Sequence, residues 1–414
     1  MPRRVFVLLL IAPILVVSCG TGAEAGKAVR ITKAELVETL APAAIDKLAG
    51  VLWSPLPAPK ARLTVDSWLL TFQSVYPDGA PATITAQLFI PRFSDKAVRP
   101  LYVFATGSTG LTAACRASRE HIAGIRWGLY RTHVLAYAAQ GVIGMLPDYM
   151  GFADPGRLQP FYSAVAEGRM MLDAVRAART FIAGKPAVGQ SAASVSGLRA
   201  FLAGFSQGGH AAFAAADLRA SWAPDVPLAG IIGYGPAADV IALFREFPVD
   251  VPMAIYTYEQ MYGKRMLDPA AILLPEWADS LEDDVTRQCI GGMQAYYPWT
   301  PRKLFRKEFA DALLADTLAT AYPSVDRILK ENSTGLAGHR VPALILEGTD
   351  DIVVSVKSQT AFAQALRARG SPVQLSIYKG TRHDTRQAGF PEALQWMRNI
   401  TSGVAPASGN ANRS

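Results

Sequence analysis

The chain has 414 residues, half of them hydrophobic, and a formal net charge of +7. That size suits one large domain with an insertion, or two modest ones. Lysine and arginine are scattered singly, with no basic stripe alternating with aromatics; this is solvated surface, suited at most to an anionic membrane, and argues against nucleic-acid binding. Five histidines and three cysteines show no metal-ligand spacing, so neither a metal nor another cofactor is expected.

At the N-terminus, Arg3 and Arg4 precede the apolar run VFVLLLIAPILVV, and Ser18 stands before Cys19. Residues 1–18 are too short and wrongly flanked for a spanning helix and read as an export signal. Val16-Val17-Ser18-Cys19 resembles the lipobox of bacterial lipoproteins, in which the cysteine is acylated and becomes the mature N-terminus. An ordinary signal cut after Ala25 is the alternative; either way the protein leaves the cytoplasm. With Cys19 carrying lipid, Cys115 and Cys289 remain as a pair in an oxidising compartment, where a disulfide is their obvious use.

Residues 20–30 form a small-residue tether, and 31–51 have helical spacing, ended by Pro55-Leu56-Pro57-Ala58-Pro59. Alternating runs at 68–76 and 83–90, joined through Pro77-Asp78-Gly79, predict an antiparallel hairpin. Residues 101–105 are continuously apolar and predict a buried strand. A helical stretch follows at 113–140, then a strand at 142–146, a helix at 162–182 and a surface loop at 184–197. Residues 199–205 read as a strand that enters Gly204-Phe205-Ser206-Gln207-Gly208, a G-x-S-x-G pattern followed at once by an Ala-rich helix. Strand, glycine-flanked serine and helix in that order are the context of a nucleophile elbow. Its −2 and +2 positions must be small because strand and helix pass close by. The Gln207 amide would then point to where an oxyanion develops.

After a strand at 228–234 the rhythm breaks. Residues 236–340 carry helical patterns and several aromatics without a core strand. Strand patterns resume at 341–346 and 373–378, and a helix at 391–400 precedes a polar tail expected to be disordered. The expected division is a signal at 1–18, a tether and helix at 19–62, a core at 63–235 and 341–400, a helical cap at 236–340 and a tail at 401–414. Strands alternating with helices predict a mostly parallel sheet, antiparallel at its start, with helices on both faces.

The remaining chemistry is sought in the chain order Ser, Asp or Glu, His. Glu347-Gly348-Thr349-Asp350-Asp351 follows one late strand, and Gly380-Thr381-Arg382-His383 follows the next. A serine hydroxyl stays protonated and is a poor nucleophile alone. His383 would take its proton and return it to the leaving alcohol, while an aspartate fixes the imidazole. A G-x-x-D-x-x-V register chooses Asp351, and a D-x-I-V register chooses Asp350. The first is preferred, leaving Asp350 as a turn residue and Glu347 as a strand end. His210 is displaced sideways along the helix after Ser206, and His121, His133 and His339 read as structural.

The chain resembles the secretory lipase family within the α/β-hydrolases. The likeness is carried by Thr106-Gly107-Ser108-Thr109-Gly110-Leu111 followed by Cys115, by Pro147-Asp148-Tyr149-Met150-Gly151, and by Asp173-Ala174-Val175-Arg176-Ala177-Ala178-Arg179. Gly204 to His210 and Gly235-Pro236-Ala237-Ala238-Asp239 complete the set. Thr106 departs from the family, which tends to have histidine there. The resemblance implies an α/β-hydrolase fold with an inserted helical cap, an acyl-chain tunnel and a disulfide joining core to cap, which matches Cys115 and Cys289. The oxyanion hole's second amide is assigned to Ser108, with Thr109 as the alternative. The expected activity is hydrolysis of esters of lipophilic acids. A peptidase or amidase on the same scaffold, or a silent lipid-anchored binding protein, are the competing readings.

Overall fold

The computed structural model describes residues 29–413 except 96, 98, 125 and 185–197. The expected signal, the Cys19 lipobox and most of the 184–197 loop lie outside these residues. Ten strands form one sheet in the order β1-β2-β3-β5-β4-β6-β7-β8-β9-β10. They are Ile31–Leu40, Val65–Val75, Pro81–Pro91, Leu101–Ala105, Ile143–Pro147, Ala200–Phe205, Leu228–Tyr234, Ala343–Gly348, Val373–Tyr378 and Gly409–Arg413. The β1/β2, β2/β3 and β3/β5 pairs are antiparallel and the rest parallel, so the sheet opens with the expected hairpin.

The central strands are apolar throughout because both faces are covered. In β4, Leu101, Val103 and Ala105 pack with helices α3 (Ala164–Ala183) and α4 (Gln207–Trp222). Tyr102 and Phe104 point the other way, toward α1 (Pro42–Trp53), α2 (Tyr130–Ala138) and the last helix, Arg386–Thr401. Side chains alternating with period 2 thus feed two separate cores. Between β7 and β8 the chain leaves the sheet for a series of helices from Val240–Glu246 to Pro323–Glu331. These have an apolar core of their own, centred on residues such as Phe244, Met253, Tyr258, Phe305 and Phe309.

Three expectations need correction. Residues 31–40 are a strand, not helix: they pair along β2 with two register shifts, and only Leu40 is buried. The helix starts at Pro42, where proline's missing N–H costs nothing. An exposed edge strand has no apolar alternation to betray it, and pairing overrides its helical spacing. The stretch 113–140 is broken into short turns before α2, because Leu129 takes φ 50° and Glu120 accepts the amides of Gly128, Leu129 and Tyr130 at 2.8, 2.8 and 3.0 Å. The tail is ordered at its end: Gly409–Arg413 pairs parallel to β9, Arg367 bonds Gly409 O, and Arg413 pairs with Glu392. Backbone pairing and two guanidiniums hold this polar strand, and composition carries no signal of either.

Candidate active site

Ser206 stands between β6 and α4 at φ 54°, ψ −116°. Its amide donates to Tyr234 O (3.0 Å), and its carbonyl takes the amides of Gly209, His210 and Ala237. The tightness of the turn explains the glycines. A Cβ on Gly204 would lie 2.0 Å from Gly208 C and O, and one on Gly208 would lie 2.0 Å from Ala105 O. Being first in α4, the Gln207 N–H has no intrahelical acceptor, and among the described residues it has no other.

His383 lies after β9, its ring 4.8 Å from that of Phe205 and packed on Gly235. Its Nδ1 meets Asp351 Oδ2 at 2.7 Å, and its buried Nε2 has no partner. Asp351 Oδ1 accepts the amides of Val353 (2.7 Å) and Val354 (3.0 Å). Burial pushes the Asp351 carboxyl up, but His383, Glu347 and the Val354 amide outweigh it and hold it below the usual carboxylate range. Asp350 is exposed and accepts only the neighbouring Thr349 hydroxyl (2.8 Å).

Ser108 lies in the loop after β4. Its Oγ is buried without a partner of full hydrogen-bond geometry, and its N–H meets no acceptor among the described residues. Thr109 is turned to the insertion, its carbonyl taking the Ile290 amide at 2.9 Å. At the next residue Gly110 bridges Cys289, and Cys289 is disulfide-bonded to Cys115 with Cα atoms 5.5 Å apart. The expected Cys115–Cys289 disulfide is therefore present, beside this loop.

Of the other histidines, His210 is fully buried one turn along α4, with Nδ1 on Glu167 Oε2 and Nε2 on Asn332 O, both at 2.6 Å. His133 Nε2 meets Tyr102 OH (2.9 Å), and His339 Nδ1 accepts the Val341 amide (3.0 Å). None of these three rings bonds Ser206, Asp351 or His383.

Several residues around Ser206 carry no pattern in the sequence. Glu167 binds Gln207 Nε2 (2.7 Å), His210 and the Tyr162 amide (3.0 Å), fixing the start of α4 against the chain before α3. Arg386, fully buried, pairs with Asp384 and lies 4.9 Å above the Phe205 ring, backing the residue on which His383 rests. Glu347 lies beside Asp351; burial first, then the Asp351 charge and hydrogen bond, push it up to about 10, so near neutrality it is protonated. Asp250 comes from the insertion and feels His383; burial pushes it up to about 7 against a hydrogen bond from Gln294 Nε2 (3.2 Å). Glu167 alone had a signal, an acid in a helix's first turn.

A cavity of about 900 Å³ lies between the β2–β3 turn, residues 156–165 and the insertion, with Tyr76, Leu158, Gln159, Tyr256, Met261 and Tyr262 in its wall. Ser206 and His383 do not line it. Its lining residues Pro160 and Ser163 flank Phe161 and Tyr162.

A mostly parallel sheet with a strained serine after a central strand, and an Asp–His pair from the two strands beyond, defines an α/β-hydrolase. Known structures agree with that class. An esterase from Xanthomonas oryzae described as rice cell wall degrading, LipA, superposes with a TM-score of 0.67 at 18% identity over 90% of this chain and 96% of that one. Candida antarctica lipase A gives 0.68 at 16% identity over 93% and 85%. A protein of Legionella pneumophila gives 0.67 at 15% identity over 90% and 97%. No curated protein matches by sequence. The family model for secretory lipases matches residues 118–409, and the chain belongs to that family. It is therefore a carboxylic ester hydrolase. No helix among the described residues is long and apolar enough to cross a membrane.

Proposed function

We propose that the protein hydrolyses esters of lipophilic carboxylic acids through an acyl-enzyme, with Ser206, His383 and Asp351 as its triad. Ser206 Oγ attacks the carbonyl carbon while its proton passes to His383 Nε2, and the carbonyl electron pair moves onto oxygen. The amides of Gln207 and Ser108 hold that oxygen. The intermediate then collapses, the alcohol leaves with the proton from His383, and a water deprotonated by His383 releases the acid. The observation that carries this reading is the 2.7 Å His383–Asp351 contact, with Nε2 unpartnered and the ring packed on Phe205, the residue before the φ 54° serine. Tyr76, Leu158, Tyr256, Met261 and Tyr262 give the large cavity, whose wall also carries charged Arg157 and Glu282, an apolar part that suits a lipophilic acyl group.

Turnover of p-nitrophenyl esters of graded chain length tests the reading, with Ser206→Ala as control. A folded Ser206→Ala protein with near-native turnover would refute it; a preference for amides would make it a peptidase or amidase.

The family is a secretory one, and export suits residues 1–18. We infer further that Cys19 is acylated and anchors the mature chain to a membrane, with residues 236–340 capping the core and 341–400 completing it. Intact-mass analysis of exported protein should find a lipid-bearing chain that starts at Cys19. A mature chain starting downstream, for instance after Ala25, overturns the anchor alone.

A further inference from the structure

Most fully buried tyrosines here spend their hydroxyls on the fold. Tyr102, Tyr137 and Tyr234 bond one another, Tyr149 donates to Thr106 O, and Tyr258 donates to Tyr162 O. The Tyr130 hydroxyl lies against Gly107. Tyr162 is different. Its ring packs on His210, one turn after Ser206, its hydroxyl is turned to the Ser206 and Ser108 side chains, and Ser108 Oγ is buried there without a hydrogen-bond partner.

The chain holds Tyr162 there against its own preference. It is a non-glycine residue at φ 53°, with its N–H on Glu167 Oε1 (3.0 Å) and its C=O taking the Tyr258 hydroxyl (2.9 Å). Its ring lies edge-on to His210 at 4.9 Å, and 1% of the residue is exposed. A side chain fixed this firmly in a sparsely populated conformation, and aimed at a reactive serine, points to function.

We propose that Tyr162 is a catalytic residue whose hydroxyl joins the Ser108 and Gln207 amides in holding the oxyanion. The proposal rests on the Ser206 reading above. As Oγ bonds the carbonyl carbon and its proton goes to His383, the oxygen gains the π pair. Tyr162 gives that oxygen a third hydrogen bond and keeps its own proton throughout. The phenol is well suited to donate, because burial, then the Asp250 and Glu167 charges, hold it well above its ordinary pKa and so in the protonated form. A neutral donor in a site shut off from water strengthens as charge develops on its acceptor, which lowers the barrier rather than the ground state.

Tyr162→Phe keeps the ring and removes the donor. For an aryl ester we expect kcat to fall on the order of 100-fold with KM little changed. For the matching thionoester, whose sulfur accepts hydrogen bonds poorly, the fall should be small. The ester-to-thionoester ratio therefore collapses, and since both substrates are read on one preparation it does not depend on how much protein folds. The rate constant for phosphonylation by a fluorophosphonate, whose phosphoryl oxygen occupies the same hole, should fall with the ester rate. An equal loss on ester and thionoester, or an unchanged phosphonylation rate, overturns the role of Tyr162. Ser206→Ala run alongside separates the failures: if it still turns over ester, the serine reading has failed instead.

Discussion

Replacing both bonded cysteines, Cys115→Ser with Cys289→Ser, should loosen the attachment of the inserted helices and the loop that carries Ser108 together. The bond spans a sequence separation of 174 residues. In the chain-entropy model, closing a loop of that length in the unfolded chain is worth about 5 kcal/mol. At roughly 2.1 cal/mol/K per residue, the unfolding entropy of a chain this size is about 0.8 kcal/mol/K, so the expected drop in melting temperature is about 6 °C. Locally, Cys289 pairs with Gly110 and Ile290 holds Thr109 O, so slack in the insertion reaches the loop that carries Ser108 directly. Scanning calorimetry reads the first effect, and turnover of long against short acyl esters reads the second, with long esters lost first. The wild type should show the bond in peptide maps taken without reduction. A double variant that melts within about 1 °C of wild type would refute the entropic reasoning; one that melts lower yet keeps its long-ester activity would refute the link to the cap.

Asp351→Asn should cost on the order of 10⁴ in kcat by leaving the imidazole misoriented, while Asp350→Asn should leave turnover essentially unchanged; the reverse result would move the acid by one residue. Gly208→Ala, whose Cβ would meet Ala105 O at 2.0 Å, should destabilise by about 1–3 kcal/mol in urea unfolding, as overpacked sites do. Asp250, raised to about 7 by burial, holds a proton when folded that the unfolded chain gives up near pH 4. Its contribution to stability is therefore full below pH 4 and is lost as pH climbs to 7. Asp250→Asn should gain in melting temperature relative to wild type as pH rises through that window, and an offset independent of pH would refute the assignment.

What the sequence made legible was whatever local rules dictate. Gly204, Ser206 and Gly208 could be read because a sharp turn between a buried strand and a helix admits few residues, and the chain order then led to Asp351 and His383. The Asp350–Asp351 choice needed only a register, and His383 contacts the second of the two. The edge elements were not legible: β1 looks helical and β10 looks like a tail, since neither buries an apolar face and both are specified by their neighbours. Glu167, Tyr162, Asp250, Glu347 and Arg386 were hidden for a related reason. Each acts through partners from distant parts of the chain, such as Glu167 with His210, and no local pattern encodes such pairs.

These hidden residues also explain how the site stays rigid while being assembled from separate segments. Phe205 is clamped between the His383 ring and the Arg386 guanidinium, so the residue before the serine and the base share one support. On the other side Glu167 ties α4 to Tyr162, and Asn332 from the insertion both closes on His210 Nε2 and takes the Ala164 amide at the start of α3. The insertion therefore reaches the serine by two routes, one through Asn332 and one through Cys289 and Ile290. Truncating it would do more than open a lid. It would leave His210 Nε2, the Ala164 amide and the Tyr162 carbonyl short of partners, each costing about 1–3 kcal/mol, and would free the loop that carries Ser108. The insertion and the serine's surroundings are thus tied together by the Asn332 hydrogen bonds and the Cys115–Cys289 bond, and neither can be altered without the other.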